Sequence, residues 1–170
     1  MDRKGIITMK GNPLTLSGNP VAAGDKAPNF VVLNKELKEK SLKDYAGKVK
    51  LISVTPSLDT PVCDIQIHAF EKEAAGLSDD VTILNISVDL PFAIKRFCST
   101  GGIERVEALS DHRDVSFGNA YGELIKELRL LARSVFVIDR NDVVRYVEQL
   151  SEVTDEPDYD AALKALKSVL

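Results

Sequence analysis

Val49-Lys-Leu-Ile-Ser-Val-Thr55, followed by Pro56-Ser-Leu-Asp-Thr-Pro-Val-Cys63-Asp64, is the stretch of sequence that decides the fold. Its first half is a nearly continuous apolar run rich in β-branched residues, which is typical of a buried strand. Its second half begins as a loop, and Pro61 suits an early helical position because its missing N–H is not needed there. The stretch therefore predicts a buried strand that leads through a short loop into a helix over residues 61–76.

The helix after the loop has a recognisable apolar pattern. Apolar residues recur at roughly helical spacing and predict the buried face of the helix: Ile65, Ala69, Phe70 and Ala74. Glu71, Lys72 and Glu73 are expected on its solvated face.

Outward from this unit, predicted strands and helices alternate. Upstream we expect a hairpin over residues 6–18 that turns at Gly11-Asn12, a short strand over 30–33 and a helical turn over 41–45. Downstream we expect strands over 81–88, 107–110, 134–138 and 143–147, and helices over 91–97 and 158–169. This alternation, with a late hairpin, indicates one α/β domain over residues 1–170: a central mixed sheet with helices on both faces and residues 1–18 as an N-terminal extension.

Composition limits the classes of function. Of 170 residues, 44% are hydrophobic, which suffices for one sizeable core. The 22 basic and 26 acidic residues give a net charge of −4, which argues against nucleic-acid binding. No apolar run reaches about 18 residues, so no membrane span is expected. Residues 1–5 lead into no apolar signal segment, and the expected compartment is the cytosol.

The chain has two cysteines, Cys63 and Cys98. A small buried hydrophobic residue is the commonest role for a cytosolic cysteine. A structural disulfide is disfavoured in a reducing compartment. Zinc is disfavoured too, because the cysteines, His68 and His112 are too scattered to form paired ligands. We therefore expect no metal site and no cofactor, and surface or capping roles for the two histidines.

Cys63 is predicted to lie in the first turn of the helix. The first helical N–H groups lack partners and carry a partial positive charge, which stabilises a thiolate. An ordinary thiol, with a pKa near 8.5, is ionised only to a few per cent at neutral pH, and peroxide cleavage needs the thiolate. Thr60 could cap this helix, donate to an attacking peroxide oxygen, or do both. Pro56 is expected to fix the loop and to shield Cys63 from water.

These residues carry a resemblance to a known family. Pro56-x-x-x-Thr60-x-x-Cys63 resembles the active-site signature of the peroxiredoxins, and Thr60-Pro-Val-Cys63 after Asp59 is similar to their bacterial thiol peroxidase branch. The similarity extends over nearly the whole chain, including the N-terminal hairpin and five further stretches: Arg96-Phe97-Cys98, Gly102-Ile103-Glu104, Leu109-Ser110-Asp111, Ser116-Phe117-Gly118-x-Ala120-Tyr121-Gly122 and Ala132-Arg133-Ser134-Val135-Phe136-Val137-Ile138-Asp139.

The resemblance implies a thioredoxin-like fold and a role for each residue. Cys63 would attack the O–O bond of a hydroperoxide and become a sulfenic acid, in a substrate site formed by Pro56, Thr60 and Arg133. Cys98 would then form a disulfide with Cys63 in the same chain, and thioredoxin would reduce that disulfide. The resemblance also implies a homodimer.

Other interpretations remain open from the residues alone. Arg133 precedes an apolar strand, where a solvated charge is common. Cys98 has apolar neighbours, Phe92, Ile94 and Phe97, and resembles a core cysteine. A thioredoxin-type dithiol oxidoreductase prefers Cys-x-x-Cys, and here the first position of that motif is Thr60. A non-enzymatic redox sensor switched by a Cys63–Cys98 disulfide is the alternative from a different class.

Overall fold

The computed structural model describes residues 1–170, which form eleven strands and four α-helices. The strands are β1 (Asp2–Met9), β2 (Asn12–Ser17), β3 (Val31–Leu33), β4 (Glu39–Ser41), β5 (Val49–Val54), β6 (Val81–Ser87), β7 (Glu107–Ser110), β8 (Leu124–Ile125), β9 (Leu130–Leu131), β10 (Ser134–Ile138) and β11 (Val144–Gln149). The helices are α1 (Pro61–Ala74), α2 (Pro91–Gly101), α3 (Ser116–Tyr121) and α4 (Tyr159–Lys167), and a 3₁₀ turn covers Leu42–Tyr45.

Seven strands form the central sheet, in the order β11-β10-β5-β6-β7-β3-β4. Strand β6 is parallel to both β5 and β7, and the other pairs are antiparallel. Every residue of β5 and β10 is buried, as expected of central strands covered on both faces. The predicted mixed sheet is therefore confirmed.

Two apolar cores cover the two faces of this sheet. On one face, side chains such as Leu51 and Val137 pack with residues of α1, α2 and α4. On the other face, Ile52 and Phe136 pack with Phe117 of α3 and with the 3₁₀ turn. Helices therefore lie on both faces, as predicted. None of the helices combines the length and the apolar composition that a membrane span needs.

The N-terminal hairpin is present, but its predicted turn was wrong. Met9 pairs with Asn12, so the two turn residues are Lys10 and Gly11, with φ of 50° and 79°. A two-residue hairpin turn with positive φ at both positions matches the twist of the flanking strands. The hairpin is also part of a second sheet, β1-β2-β8-β9, whose two short later strands the sequence pattern did not indicate.

The predicted apolar face of α1 was partly wrong. Ile65 is 50% exposed, and the buried residues of the helix are Cys63, Gln66, Ile67 and Phe70. Glu71 was predicted to be solvated, but its carboxylate accepts hydrogen bonds from the backbone N–H groups of residues 104–106. These bonds join α1 to the loop between α2 and β7.

The fold places the start of α1 at the carboxyl end of β5. The loop over residues 55–60 connects the two elements, and the N-terminus of β10 lies beside the same end because β10 runs antiparallel to β5. Residues from the loop, from α1 and from the approach to β10 can therefore meet at one edge of the sheet.

Candidate active site

Cys63 lies in the first turn of α1 and is fully buried. Two side chains contact its sulfur: Thr60 Oγ1 lies 2.7 Å from Sγ, and Arg133 Nη2 lies 3.2 Å from it. The sequence therefore identified three residues that the fold brings into one cluster.

Thr60 occupies the N-cap position of α1, but its hydroxyl caps no helical N–H group. Its Oγ1 lies 2.9 Å from the carbonyl oxygen of Ser57 as well as 2.7 Å from the Cys63 sulfur. A hydroxyl has one proton. It can donate to a thiolate at Cys63, or accept the S–H of a thiol and donate to Ser57. Thr60 therefore occupies the N-cap position, but the capping hydrogen bond expected of its side chain is absent.

Arg133 is 2% exposed and lies between β9 and β10, so the interpretation as a solvated charge was wrong. Its Nε donates to the carbonyl oxygen of Val153 at 2.7 Å, and its Nη1 donates to Gln66 Oε1 at 2.8 Å. None of the ion pairs in the molecule includes Arg133. A buried cation without a carboxylate is costly unless another anion lies nearby. A thiolate at Cys63 would be that anion.

A cleft of about 310 Å³ opens above the cluster. Thr60 and Arg133 line it, together with mainly apolar atoms of Met9 from the hairpin, Val62 from α1 and Val153. The Cys63 sulfur is buried, so a substrate in this cleft meets Thr60 and Arg133 first.

The loop before α1 is held by a carboxylate that the sequence pattern did not indicate. Asp89, just after β6, accepts from the Ser57 hydroxyl at 2.7 Å and from the Leu58 N–H at 2.8 Å. The Ser87 hydroxyl also donates to it. Pro56 is buried at the start of this loop and does not line the cleft.

Cys98 lies elsewhere, in the last turns of α2. It is 5% exposed and packs in the core with Ile94, whereas its neighbour Phe92 is 69% exposed. Burial raises the pKa of the Cys98 thiol, Lys35 opposes this effect, and Glu71 adds to it. Cys98 borders a second cleft of about 310 Å³ that does not include Cys63. Both cysteines are free thiols.

The histidines do not contact the cluster. His68 lies on α1, with Nδ1 2.8 Å from the carbonyl oxygen of Asp64 and Nε2 2.9 Å from that of Gly101 at the end of α2. His112 contributes backbone hydrogen bonds, one of them from Arg129. No group of three or more His, Cys, Asp and Glu side chains is arranged to hold a metal ion.

Gln66 is the second contributor that sequence reasoning missed. It is fully buried and lies one helical turn after Cys63, on the same face of α1. A signal was available, since a polar residue three positions after the cysteine interrupts an otherwise apolar face.

Comparison with known proteins assigns the chain to a family. The family model described as Redoxin matches residues 22–163. A thiol peroxidase of Halalkalibacterium halodurans is 60% identical over 164 residues, which are 96% of this chain and 98% of that protein. A thiol peroxidase of Bacillus subtilis is 56% identical with the same coverage of both chains.

Solved structures agree with this assignment. A peroxiredoxin-like protein from Aquifex aeolicus superimposes with a TM-score of 0.91 at 40% identity, covering 99% of this chain and 98% of that one. A thiol peroxidase from Chromobacterium violaceum shares the fold, with a TM-score of 0.84 at 23% identity and 95% of each chain covered. The predicted thioredoxin-like fold is thus confirmed, and the comparisons do not favour the redox-sensor alternative. The chain belongs to the Redoxin family and, within it, to the thiol peroxidases.

Proposed function

We propose that this chain reduces hydroperoxides with the sulfur of Cys63 as the nucleophile. The observation that carries the proposal is the buried guanidinium of Arg133, 3.2 Å from that sulfur and without a carboxylate partner. The start of α1 adds its partial positive charge, and Thr60 offers a hydroxyl proton 2.7 Å away. All three features can stabilise negative charge at the reacting sulfur and oxygens.

The reaction follows from this arrangement. The Cys63 thiolate attacks the distal oxygen of ROOH, an S–O bond forms, and the O–O bond breaks. The leaving alkoxide takes a proton and departs as ROH, and the sulfur is left as a sulfenic acid. Arg133 and Thr60 lie where they can donate hydrogen bonds to the oxygens as negative charge moves from sulfur to the leaving oxygen.

The cleft supports hydrogen peroxide and organic hydroperoxides as substrates. Its lining carries apolar atoms from Met9, Val62 and Val153, which can cover the alkyl group of an organic hydroperoxide. The O–OH end would then point between Thr60 and Arg133. Buried Pro56 would act indirectly, by fixing the loop that carries Thr60.

Cys98 is proposed as the resolving cysteine. Its thiol attacks the sulfenic sulfur of Cys63, the disulfide forms, and water leaves. A thioredoxin-type dithiol then reduces the disulfide and is itself oxidised. We also propose that the protein works as a homodimer, since Leu90 and Phe92, at the start of α2, expose apolar surface that a second copy could cover. The cytosol is the compartment that we propose for it.

The proposed function is tested by steady-state consumption of hydrogen peroxide and of an organic hydroperoxide, with thioredoxin and its reductase supplied. Sustained turnover with either substrate is expected. A single turnover per molecule under the same conditions would instead identify a sensor.

A further inference from the structure

A hydrogen bond from the side chain of His68 joins α1 to the end of α2, the helix that carries Cys98. His68 lies five residues after Cys63, and its Nε2 is 2.9 Å from the carbonyl oxygen of Gly101, the last residue of α2. Gly101 in turn lies three residues after Cys98. The contact is tightly packed, because a Cβ atom at position 101 would lie 3.3 Å from the His68 ring. The two helices that carry the cysteines are therefore joined close to both of them.

The way in which α2 ends leaves this carbonyl group for His68. Gly102 has a φ of 70°, and the backbone N–H groups of Gly102 and Ile103 both donate to the carbonyl oxygen of Cys98. In this common helix ending, some of the last carbonyl groups have no partner within the helix. The oxygen of Gly101 is one of these, and His68 is its partner. A cation in this position also interacts favourably with the dipole of α2.

Both nitrogen atoms of the His68 ring face acceptor oxygens. While Nε2 faces Gly101, Nδ1 lies 2.8 Å from the backbone carbonyl oxygen of Asp64 and 3.1 Å from its carboxylate. A neutral imidazole has a single N–H, so it donates on one side and turns a lone pair toward the acceptor on the other. An imidazolium donates on both sides. The arrangement therefore fits the protonated ring, and deprotonation costs one of the two bonds.

His68 is the group at this junction whose charge changes near neutral pH. The bond to the Asp64 carbonyl oxygen raises the pKa of His68, partial burial opposes this effect, and the Gly101 bond and the Asp64 charge add to it. Imidazole is the side chain whose charge ordinarily changes between about pH 5 and 8. The Cys98 thiol stays protonated in this range, because burial raises its pKa. None of the other charged side chains around the junction forms an ion pair with His68: Asp59, Glu71, Lys72, Arg96, Glu104 and Arg105.

We propose that His68 is a positioning residue for the resolving step: its imidazolium ties the end of α2 to α1, and its deprotonation releases that end. This inference rests on the proposed roles of Cys63 and Cys98. In the resolving step the Cys98 sulfur attacks the sulfenic sulfur, an S–S bond forms, the S–O bond breaks and water leaves. Cys98 is 5% exposed in the last turns of α2, so we expect it to reach Cys63 only after this end of the helix unwinds. Unwinding breaks the bond from His68 to Gly101.

The sign of the pH effect follows from this bond. Because the folded arrangement favours the charged ring, the contribution of His68 to holding α2 closed is fully present at low pH and is lost as pH rises through the pKa of His68. A hydrogen bond to a charged group at a partly exposed site changes an equilibrium by about threefold to tenfold. We expect a gain of that size in the rate of disulfide formation between about pH 6 and 8, beyond the effect of pH on the Cys98 thiol.

Two substitutions separate the charge of His68 from its bulk. His68→Arg keeps a donor and has a charge that does not titrate, so disulfide formation should stay slow. His68→Gln is neutral at every pH, so disulfide formation should stay fast. The ratio of the parent rate to the rate of each variant cancels the effect of pH on Cys98, which all of them share. His112→Gln is the matched control, since the hydrogen bonds of His112 involve only its backbone and residues outside α2.

The rate is measured by mixing each reduced protein with one equivalent of hydrogen peroxide at a series of pH values from about 6 to 8 and quenching at intervals. The sulfenic acid and the disulfide differ in mass by one water, so mass spectrometry follows the reaction in a chain that has no tryptophan for fluorescence. The inference is supported if the ratios of the parent to His68→Arg and to His68→Gln both rise with pH while the ratio to His112→Gln stays constant. A ratio of the parent to His68→Arg that does not change with pH would overturn it.

Hydrogen exchange of the reduced protein tests the same contact without any peroxide. Backbone amides at the end of α2 should exchange alike in the parent and in His68→Arg at about pH 6, and faster in the parent at about pH 8. If no disulfide forms in the parent protein, the proposed role of Cys98 fails, and this comparison still decides whether His68 holds the helix. Equal exchange in the two proteins at both pH values would overturn the role of His68.

Discussion

Arg133 and Cys63 are 70 residues apart in the chain, yet the guanidinium of Arg133 lies 3.2 Å from the Cys63 sulfur. The contact forms because the approach to β10 and the loop after β5 end at the same edge of the central sheet. Both residues are almost completely buried, and no carboxylate competes for the guanidinium. The strongest electrostatic partner of the sulfur is therefore supplied by the topology of the sheet.

Replacing Arg133 by Met should slow the reaction of Cys63 with hydroperoxide by about tenfold or more. Losing a close opposite charge disfavours an ionised group by about one to three powers of ten in its equilibrium. Stopped-flow mixing with hydrogen peroxide measures the rate, and thiolate absorbance measures the ionised fraction. Arg133→Lys is the matched control, because it keeps the charge but loses the planar fork. If Arg133→Met matched the parent protein in rate and thiolate fraction, the contact would have no catalytic role.

Replacing Thr60 by Val should also slow the reaction, whereas Thr60→Ser should retain most of it. Val has the same shape but no hydroxyl, so the hydrogen bond to sulfur and peroxide is lost while packing is kept. Since the Thr60 hydroxyl makes no capping bond, the melting temperature should change little in either variant. A large loss of stability with an unchanged rate would return Thr60 to a purely structural role.

Oxidation should require local unfolding around both cysteines. A disulfide needs Cα atoms within about 7 Å, but Cys63 and Cys98 are buried in separate helices, α1 and α2, and the cleft that Cys98 borders does not include Cys63. Closing a loop of this length stabilises by about 4 kcal/mol. Exposing Ile94 and Phe97 costs about 1.5–3 kcal/mol each, so the disulfide should not stabilise the protein overall.

Circular dichroism and thermal melts of the reduced and oxidised protein test this prediction. We expect lower helix content and no higher melting temperature in the oxidised form. Hydrogen exchange should show faster exchange of backbone amides near both cysteines in the oxidised form. In the reduced form, His68 of α1 hydrogen-bonds to the carbonyl oxygen of Gly101, the last residue of α2. Unchanged helix content with a clearly higher melting temperature would mean that the cysteines can pair without unfolding.

Glu123 should make the stability of the protein depend on pH. It is 2% exposed, its Oε2 has no hydrogen-bond partner, and burial raises its pKa to about 7 despite the opposing effects of Ser134, Arg3 and Gln149. Because the folded pKa is above the ordinary value of 4.5, the folded state binds more protons between about pH 4.5 and 7. The contribution of Glu123 to the free energy of unfolding is fully present below this range and falls by about 3 kcal/mol as pH rises through it.

Glu123→Gln removes that titration. Urea unfolding of the variant and of the parent protein at a series of pH values gives the difference in free energy of unfolding between them. As pH rises from about 4.5 to 7, we expect the parent protein to lose stability relative to the variant, because only the parent has the Glu123 carboxyl that titrates. A difference that stays constant with pH would show that Glu123 titrates alike in the folded and unfolded states.

The local signals of this sequence were sufficient for the strands at the centre of the sheet, but not for the edge strand β4, whose last residue, Ser41, was predicted to begin a helical turn. The apolar runs of β5, β6 and β10 and the proline-initiated helices α1 and α2 were all predicted, because continuous burial requires continuous apolar residues. Strands of two residues, such as β8 and β9, have too few residues to show a period. The solvent-exposed position of Ile65 also could not be predicted, since the face of α1 that is buried depends on packing against the sheet.

The candidate site was predictable only where a motif or a resemblance applied. Cys63 and Thr60 lie within one short motif, and the helix start explains why the cysteine is there. Arg133 alone resembles a surface charge, because its burial and its contact with Cys63 depend on the pairing of β10 with β5. Asp89 was missed for the same reason, since Ser57 and Leu58 are distant in sequence and are brought near it only by the folded chain. Gln66 had a signal in its position three residues after Cys63, but its contact with Arg133 depends on the fold.

Peroxide consumption by Cys98→Ser without any reductant tests the central claim most directly. Cys63 in this variant should consume one equivalent of hydrogen peroxide and remain as a sulfenic acid, which a dimedone-type reagent traps at Cys63 alone. The Cys63→Ser variant, which keeps Cys98, should consume none and give no trapped product. Peroxide consumption by Cys63→Ser at the rate of the parent protein would contradict the account, because the nucleophile would then lie elsewhere.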